Sequence, residues 1–92
     1  MPDALLVLRT RTAAYGGVVE MVVWHVPLPV PPSTHSFKYR LVFLRDGHRV
    51  LGYDNERGKG DHRHIQGDEL TYGFVDVDTL LRDFLNDVER CA

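Results

Sequence analysis

The chain has 92 residues, which is room for one domain with a thin hydrophobic core and excludes a multidomain protein. Hydrophobic residues make up 43% of the chain and charged residues 26%, which excludes general disorder and favours a folded globular protein. The formal net charge of −2 excludes no class of partner, whereas the lack of roughly 20 consecutive apolar residues excludes a membrane span.

The first third of the chain predicts a hairpin followed by a stiff connector. Residues 4–12 and 18–26 are rich in strand-forming side chains, and Gly16 and Gly17 between them permit a tight turn. The second strand is apolar on nearly both faces, so we expect it at the centre of a sheet. Residues 27–36 contain four prolines and are expected to form an extended connecting loop.

The pair Asp46-Gly47 is the strongest turn pattern in the sequence, and it lies between two further strands, residues 37–45 and 48–55. A two-residue turn fixes the pairing of these strands and places position 40 opposite position 53. Arg40 and Tyr53 are therefore predicted to share a polar, basic face of the hairpin.

The end of the chain predicts an amphipathic helix. Its apolar residues recur at helical spacing and form one continuous stripe: Val77, Leu80, Leu81, Phe84, Leu85 and Val88. Asp76 is expected to cap the helix N-terminus. We expect the stripe to pack on the sheet face that carries Tyr39, Leu41 and Phe43.

Together these elements predict an α+β fold. An antiparallel sheet of about four strands carries one C-terminal amphipathic helix on one face, and residues 70–75 allow a short edge strand. We expect a single domain over residues 1–92. The lone Cys91, which cannot form an internal disulfide, and the lack of a signal-peptide pattern predict a cytoplasmic protein with no membrane association.

The stretch from Tyr53 to His64 is unlike the rest of the chain, because no apolar side chain occurs between Asp54 and His64. A charged hairpin tip in solvent would have this composition. Alternatively, His62 and His64 on one face of an extended segment, about 6–7 Å apart, could lie on either side of a phosphate and act as base and acid. Four neighbours could assist them, two as cations that stabilise the transition state and two as carboxylates that orient a histidine: Arg57, Lys59, Asp54 and Glu56.

The charge distribution supports a polyanion site in the middle of the chain. Residues 35–65 contain seven Lys or Arg against four Asp or Glu, whereas residues 76–90 contain five acids and two bases. The candidate RNA contacts in this region are basic, aromatic or amide side chains: Lys38, Arg40, Tyr53, Asn55 and Arg63. A metal site for Zn²⁺ or Mn²⁺ at the histidines is a competing hypothesis.

The segments HSFKYRLVFLRDGHRVLGYDNERGKGDHRHI and FVDVDTLLRDFLNDV resemble the TumE family, and the most specific part is YDNERGKGDHRH. TumE proteins are small toxins usually encoded beside a helix-turn-helix antitoxin. The resemblance implies growth inhibition that this antitoxin partner neutralises. It also implies a site at the matching motif residues: Tyr53, Asp54, Asn55, Glu56, Arg57, Lys59, His62 and His64.

Three hypotheses follow. The first is a type II toxin that acts on RNA as a metal-independent ribonuclease, with no cofactor. The second is a toxin that only binds RNA or protein, and the third is a metal-binding regulatory module. Unpaired sheet edges would also permit a homodimer.

Overall fold

The computed structural model, which describes residues 3–91, contains one antiparallel sheet of six strands and a C-terminal helix. Each strand pairs with the next one along the chain, so the sheet is a simple meander. The elements are β1 (Leu5–Ala14), β2 (Gly17–His25), β3 (Phe37–Arg45), β4 (His48–Asp54), β5 (His62–Ile65), β6 (Asp68–Thr71) and α1 (Val77–Cys91).

Three tight turns, at Tyr15-Gly16, Asp46-Gly47 and Gln66-Gly67, organise this meander. Both residues of each pair have positive φ, which is the turn geometry that matches the twist of antiparallel strands. The first two turns were predicted. The third was not, and it folds part of the polar stretch into β5 and β6. The prediction of about four strands is therefore wrong, and the edge strand is β6 rather than residues 70–75.

The pairing of β3 with β4 contains an irregularity that changes which side chains share a face. Leu44 pairs with Arg49, but Phe43 pairs with Leu51, so one residue of β4, Val50, is left over as a bulge. Beyond the bulge every β4 side chain points to the face opposite to that predicted. Position 40 consequently lies opposite 54 and not 53, and the prediction that Arg40 and Tyr53 share a face is wrong.

The helix packs most of its apolar stripe on one face of the sheet, as predicted, but Leu85 of the predicted stripe is exposed. Leu80, Phe84 and Val88 are fully buried there. Their partners are buried side chains of β3 and β4: Tyr39, Leu41, Phe43, Leu51 and Tyr53.

Asp76 caps the helix, as predicted, because the Thr79 N–H donates to Asp76 Oδ1 at 2.7 Å. This hydrogen bond lowers the pKa of Asp76. Within residues 3–91, no helix has the length and apolar character that would let it cross a membrane.

The opposite face of the sheet, which we call the helix-free face, carries the side chains that alternate with the core residues. Leu41 and Tyr53 point to the helix, so Arg40 and Asp54, which pair with each other, point away from it. The same alternation places two residues of β5, His62 and His64, on the helix-free face.

Candidate functional site

The pairing of β4 with β5 brings a carboxylate and two imidazoles together on the helix-free face. Asp54 lies opposite His62, and Gly52 lies opposite His64. One donor atom from each of Asp54, His62 and His64 can be chosen so that all three atoms lie within 4.8 Å of one another. This cluster contains three of the predicted catalytic residues.

His62 is held on both sides of its ring. Its Nδ1 lies 2.8 Å from the Gly60 carbonyl oxygen and its Nε2 lies 2.8 Å from Asp54 Oδ1. Both neighbours are hydrogen-bond acceptors, so the ring is held between a carbonyl oxygen and a carboxylate oxygen. Only 5% of the His62 side chain is exposed, so this residue can position other groups but offers little surface to a substrate.

His64 is half-buried and is the more accessible of the two imidazoles. Its ring lies edge-to-face against that of His62, with 4.8 Å between the ring centroids and an interplanar angle of 82°. The rings are closer than the 6–7 Å predicted. A phosphate therefore has no room between them and can reach His64 only from the outer side.

Cations lie beside Asp54 of this cluster. Lys38, Arg40 and Arg49 line a depression of about 360 Å³ together with the carboxylates of Asp54 and Glu56. Arg40 and Arg49 are exposed, and Lys38 is half-buried. Two of the three basic residues predicted as RNA contacts, Lys38 and Arg40, thus line the depression beside Asp54.

Arg49 was not predicted as a site residue, and the bulge at Val50 explains why. The bulge places Arg49 opposite Leu44 on the helix-free face. A Cβ atom at Gly52 would lie 3.0 Å from Arg49 Cδ and 3.7 Å from its Nη1, so the Arg49 side chain crosses the sheet over Gly52. Gly52 is the cross-strand neighbour of His64, which brings the guanidinium next to the cluster. A bulge cannot be read from residue periodicity.

The loop between β4 and β5 contains the other predicted catalytic residues. Glu56, Arg57 and Lys59 are exposed, and Lys59 Nζ lies 3.9 Å from Glu56 Oε2. The Gly58 N–H donates to the Pro31 carbonyl oxygen at 2.8 Å, which ties the loop to the proline-rich connector. Arg57 and Lys59 therefore lie in the loop that joins Asp54 to His62 and not in the cluster itself.

Tyr53 and Arg63, predicted as RNA contacts, lie on the helix side of the sheet. The Tyr53 hydroxyl is fully buried and donates to the Asp87 carboxylate of α1. Arg63 Nη1 lies 3.2 Å from Asp87 Oδ2. Burial, with the Asp87 hydrogen bond, raises the pKa of Tyr53, so its hydroxyl stays protonated. These contacts fasten the helix to β4 and β5.

Asn55 was also predicted as an RNA contact, but it is fully buried. It accepts a hydrogen bond from the Tyr39 N–H at 3.0 Å and donates to the Phe37 carbonyl oxygen at 2.7 Å. Its amide nitrogen also lies 3.4 Å from Ser33 Oγ. The placement of Tyr53 and Asn55 on an accessible basic face is therefore wrong. The bulge turns Tyr53 toward the helix, and the Asn55 side chain is hydrogen-bonded to the backbone of β3.

A network around Asp61 was missed in the sequence. Asp61 accepts hydrogen bonds from the Ser33 hydroxyl, from His35 Nε2 at 2.7 Å and from the Tyr39 hydroxyl at 2.7 Å. Burial, with the hydrogen bond and charge of Asp61, raises the pKa of Tyr39. The network joins the connector, β3 and the loop directly before His62, so it fixes the start of β5. Residues separated by more than 20 positions contribute to it, and no local pattern reveals such contacts.

Comparison with known proteins agrees with the sequence resemblance. The sequence model of the family described as Toxin TumE matches residues 2–91. The chain belongs to the TumE toxin family. Family membership assigns this TumE chain a toxin role, and the predicted resemblance is confirmed. Neither curated proteins nor solved structures provide a match.

Proposed function

We propose that this TumE protein is the toxin of a type II toxin–antitoxin system and that it acts on RNA through the helix-free face. The supporting observation is that Lys38, Arg40 and Arg49 line one depression with Asp54, a member of the cluster that contains the accessible His64. Arg49 also crosses over Gly52, the cross-strand neighbour of His64. Closely spaced cations attract a phosphodiester backbone without requiring a particular base sequence. An imidazole beside them supplies a proton-transfer group at the phosphate.

The chemistry that fits these groups is transesterification of RNA. In the proposed step, His64 accepts the proton of a ribose 2′-hydroxyl, and that oxygen forms a bond to the adjacent phosphorus. The bond from phosphorus to the 5′-oxygen breaks, and this oxygen takes up a proton from water. The protonated His64 then returns its proton to the hydroxide that is left. The products are a 2′,3′-cyclic phosphate and a 5′-hydroxyl end, so the atoms balance without a metal or a protein nucleophile.

The remaining groups have supporting roles in this proposal. Arg40 and Arg49 stabilise the additional negative charge on the phosphoryl oxygens in the transition state. Asp54 and His62 are positioning residues, because their mutual hydrogen bond and the burial of His62 hold the ring against which His64 packs. In this proposal the exposed cations Arg57 and Lys59 steer RNA toward the cluster, and Glu56 has no catalytic role.

A second candidate function is a toxin that binds RNA without cleaving it. It is favoured by a neighbouring depression lined by Trp24, Val22, Lys38 and Arg40. The Arg9 guanidinium lies 5.7 Å from the centre of the Trp24 ring. An indole flanked by cations can stack a base while the cations bind the backbone, and this mode of binding needs no proton transfer.

The toxin proposal includes a helix-turn-helix antitoxin as the partner. Strand β1 is an edge of the sheet, and Leu5, Leu6 and Val7 on it are exposed. A partner, either the antitoxin or a second copy of the chain, could add a strand at this edge.

Growth after induction from a tightly controlled promoter tests the proposal. We expect arrest by the wild type and by Arg82→Glu, a charge reversal of an exposed helix residue far from the site. We expect normal growth with His64→Ala, with the double variant Lys38→Glu/Arg40→Glu, and with wild type co-expressed with its antitoxin. Circular dichroism and equal soluble levels control for folding.

The other outcomes separate the two candidates. Arrest by His64→Ala but not by the double variant Lys38→Glu/Arg40→Glu would contradict cleavage and support the function that only binds RNA. Arrest by the double variant Lys38→Glu/Arg40→Glu would contradict any action through the helix-free face.

A further inference from the structure

We infer that Asp54, His62 and His64 form a binding site for one divalent transition-metal ion of the Zn²⁺ type. The three side chains come from paired positions of β4 and β5, and their donor atoms lie within 4.8 Å of one another. Ligand atoms around tetrahedral Zn²⁺ are separated by roughly 3.3 Å, given metal–ligand distances of about 2.0–2.2 Å. To reach this spacing, the 2.8 Å separation of His62 Nε2 and Asp54 Oδ1 lengthens and the widest donor separation shortens as the side chains adjust to the ion.

The surroundings of His62 are those of a metal ligand. A metal-binding histidine usually donates its second ring N–H to a carbonyl or carboxylate, which fixes the ring and presents the other nitrogen to the ion. His62 Nδ1 is 2.8 Å from the Gly60 carbonyl oxygen, and this contact directs Nε2 toward Asp54. The ring is 4% exposed, so its position is fixed before any ion binds.

The space beside His62 Nε2 favours a cation. Asp54 Oδ1 lies 2.8 Å and Glu69 Oε1 lies 3.8 Å from this nitrogen. Both carboxylate oxygens are acceptors, and they lie on the same side of the ring. A divalent ion would satisfy the same acceptors and the neutral ring together, with two carboxylates balancing its charge.

Glu69 completes the donor set. It lies on β6 opposite His64, and about half of its side chain is exposed, so it can move to the ion. Two imidazole nitrogens and two carboxylate oxygens suit Zn²⁺ or Co²⁺ better than Mg²⁺ or Ca²⁺, which prefer all-oxygen sites.

Metal binding has a consequence that rests on the proposed function. An ion bound to His64 occupies the nitrogen that would otherwise transfer a proton. The metal-bound protein is therefore an inhibited form of the proposed ribonuclease. The metal site itself depends only on the arrangement of the donors.

The test uses the full chain, untagged and stripped of metal, titrated with Zn²⁺ in a calorimeter and with Co²⁺ followed by visible absorption. We expect one equivalent to bind, a higher Tm, and a Co²⁺ spectrum of tetrahedral nitrogen–oxygen coordination. We expect Asp54→Asn and His64→Ala each to weaken Zn²⁺ binding more than about tenfold. Glu69→Gln should weaken it less, because Glu69 is the most exposed donor.

His48→Ala is the matched control, since His48 is exposed at the start of β4 and lies outside the cluster. Binding that is absent, or that Asp54→Asn and His64→Ala leave unchanged, would overturn the site. Because the readout is binding and not growth or RNA cleavage, a failed metal site leaves the proposed function standing, and the reverse also holds.

Discussion

At the scale of single residues, Asn55 supports the site without touching a substrate. Its side chain satisfies the backbone of β3 at Tyr39 and Phe37, and it reaches Ser33 in the connector. The Asn55 amide therefore links the end of β4 to β3 and to the proline-rich connector, which both contribute side chains to the network around Asp61. Loss of these bonds would leave buried backbone groups without partners, which costs more than the bonds themselves contribute.

We predict that Asn55→Ala lowers the free energy of unfolding by about 2–4 kcal/mol. Urea denaturation measures this change, with Asn86→Ala on the exposed side of α1 as the control. The control should change stability by less than about 0.5 kcal/mol. An equally small effect at Asn55 would contradict the structural role assigned to it.

The same residue shows what a sequence can and cannot predict about a site. The polar composition of residues 53–64 indicated the stretch in which Asp54, His62 and His64 lie together. Composition could not separate Asn55, whose partners are backbone groups of another strand, from exposed neighbours such as Arg57. Burial depends on pairing across the sheet, which local polarity does not report.

At the scale of elements, the N-terminus of α1 depends on one ionised side chain. The Thr79 N–H donates to Asp76, and this bond lowers the pKa of Asp76. A carboxyl group with a lowered folded-state pKa stabilises the fold above its unfolded pKa of about 3.9, and the effect is lost as pH falls through the folded value.

We predict that wild type is more stable than Asp76→Asn near neutral pH and that the difference shrinks below about pH 4. Asparagine is a good cap but carries no charge to interact with the helix dipole. Thermal unfolding of both proteins between about pH 7 and pH 3 measures the difference, because the other carboxyl groups are common to both. A difference in Tm that is constant over this range would contradict the role of the Asp76 charge.

Elements with strong local patterns were predicted well, and those that depend on an irregularity were not. Strand-forming side chains and turn residues identified β1 to β4, and helical spacing identified α1 and its packing face. The bulge at Val50 cannot be read from the sequence pattern. It nevertheless turns the Tyr53 side chain into the core and places Arg49 on the helix-free face. Strands β5 and β6 have four residues each, too few for polar sequences to show an alternation.

At the scale of the whole molecule, the sheet separates stability from function. One face carries the helix and the apolar core, with the Tyr53–Asp87 contact fastening them together. The helix-free face carries exposed cations around His64, although the chain as a whole has a net charge of −2. Substitutions on the helix-free face can therefore change activity while leaving the core intact, which makes the proposed function testable by mutation.

The most direct test of the central claim is the chemistry of RNA ends in cells that express the toxin. Sequencing of 5′-hydroxyl and 2′,3′-cyclic phosphate ends after induction should reveal new cleavage sites with wild type. These sites should be absent with His64→Ala at equal protein level. Arrest by the wild type without new ends, or the same ends with His64→Ala, would contradict RNA cleavage through His64.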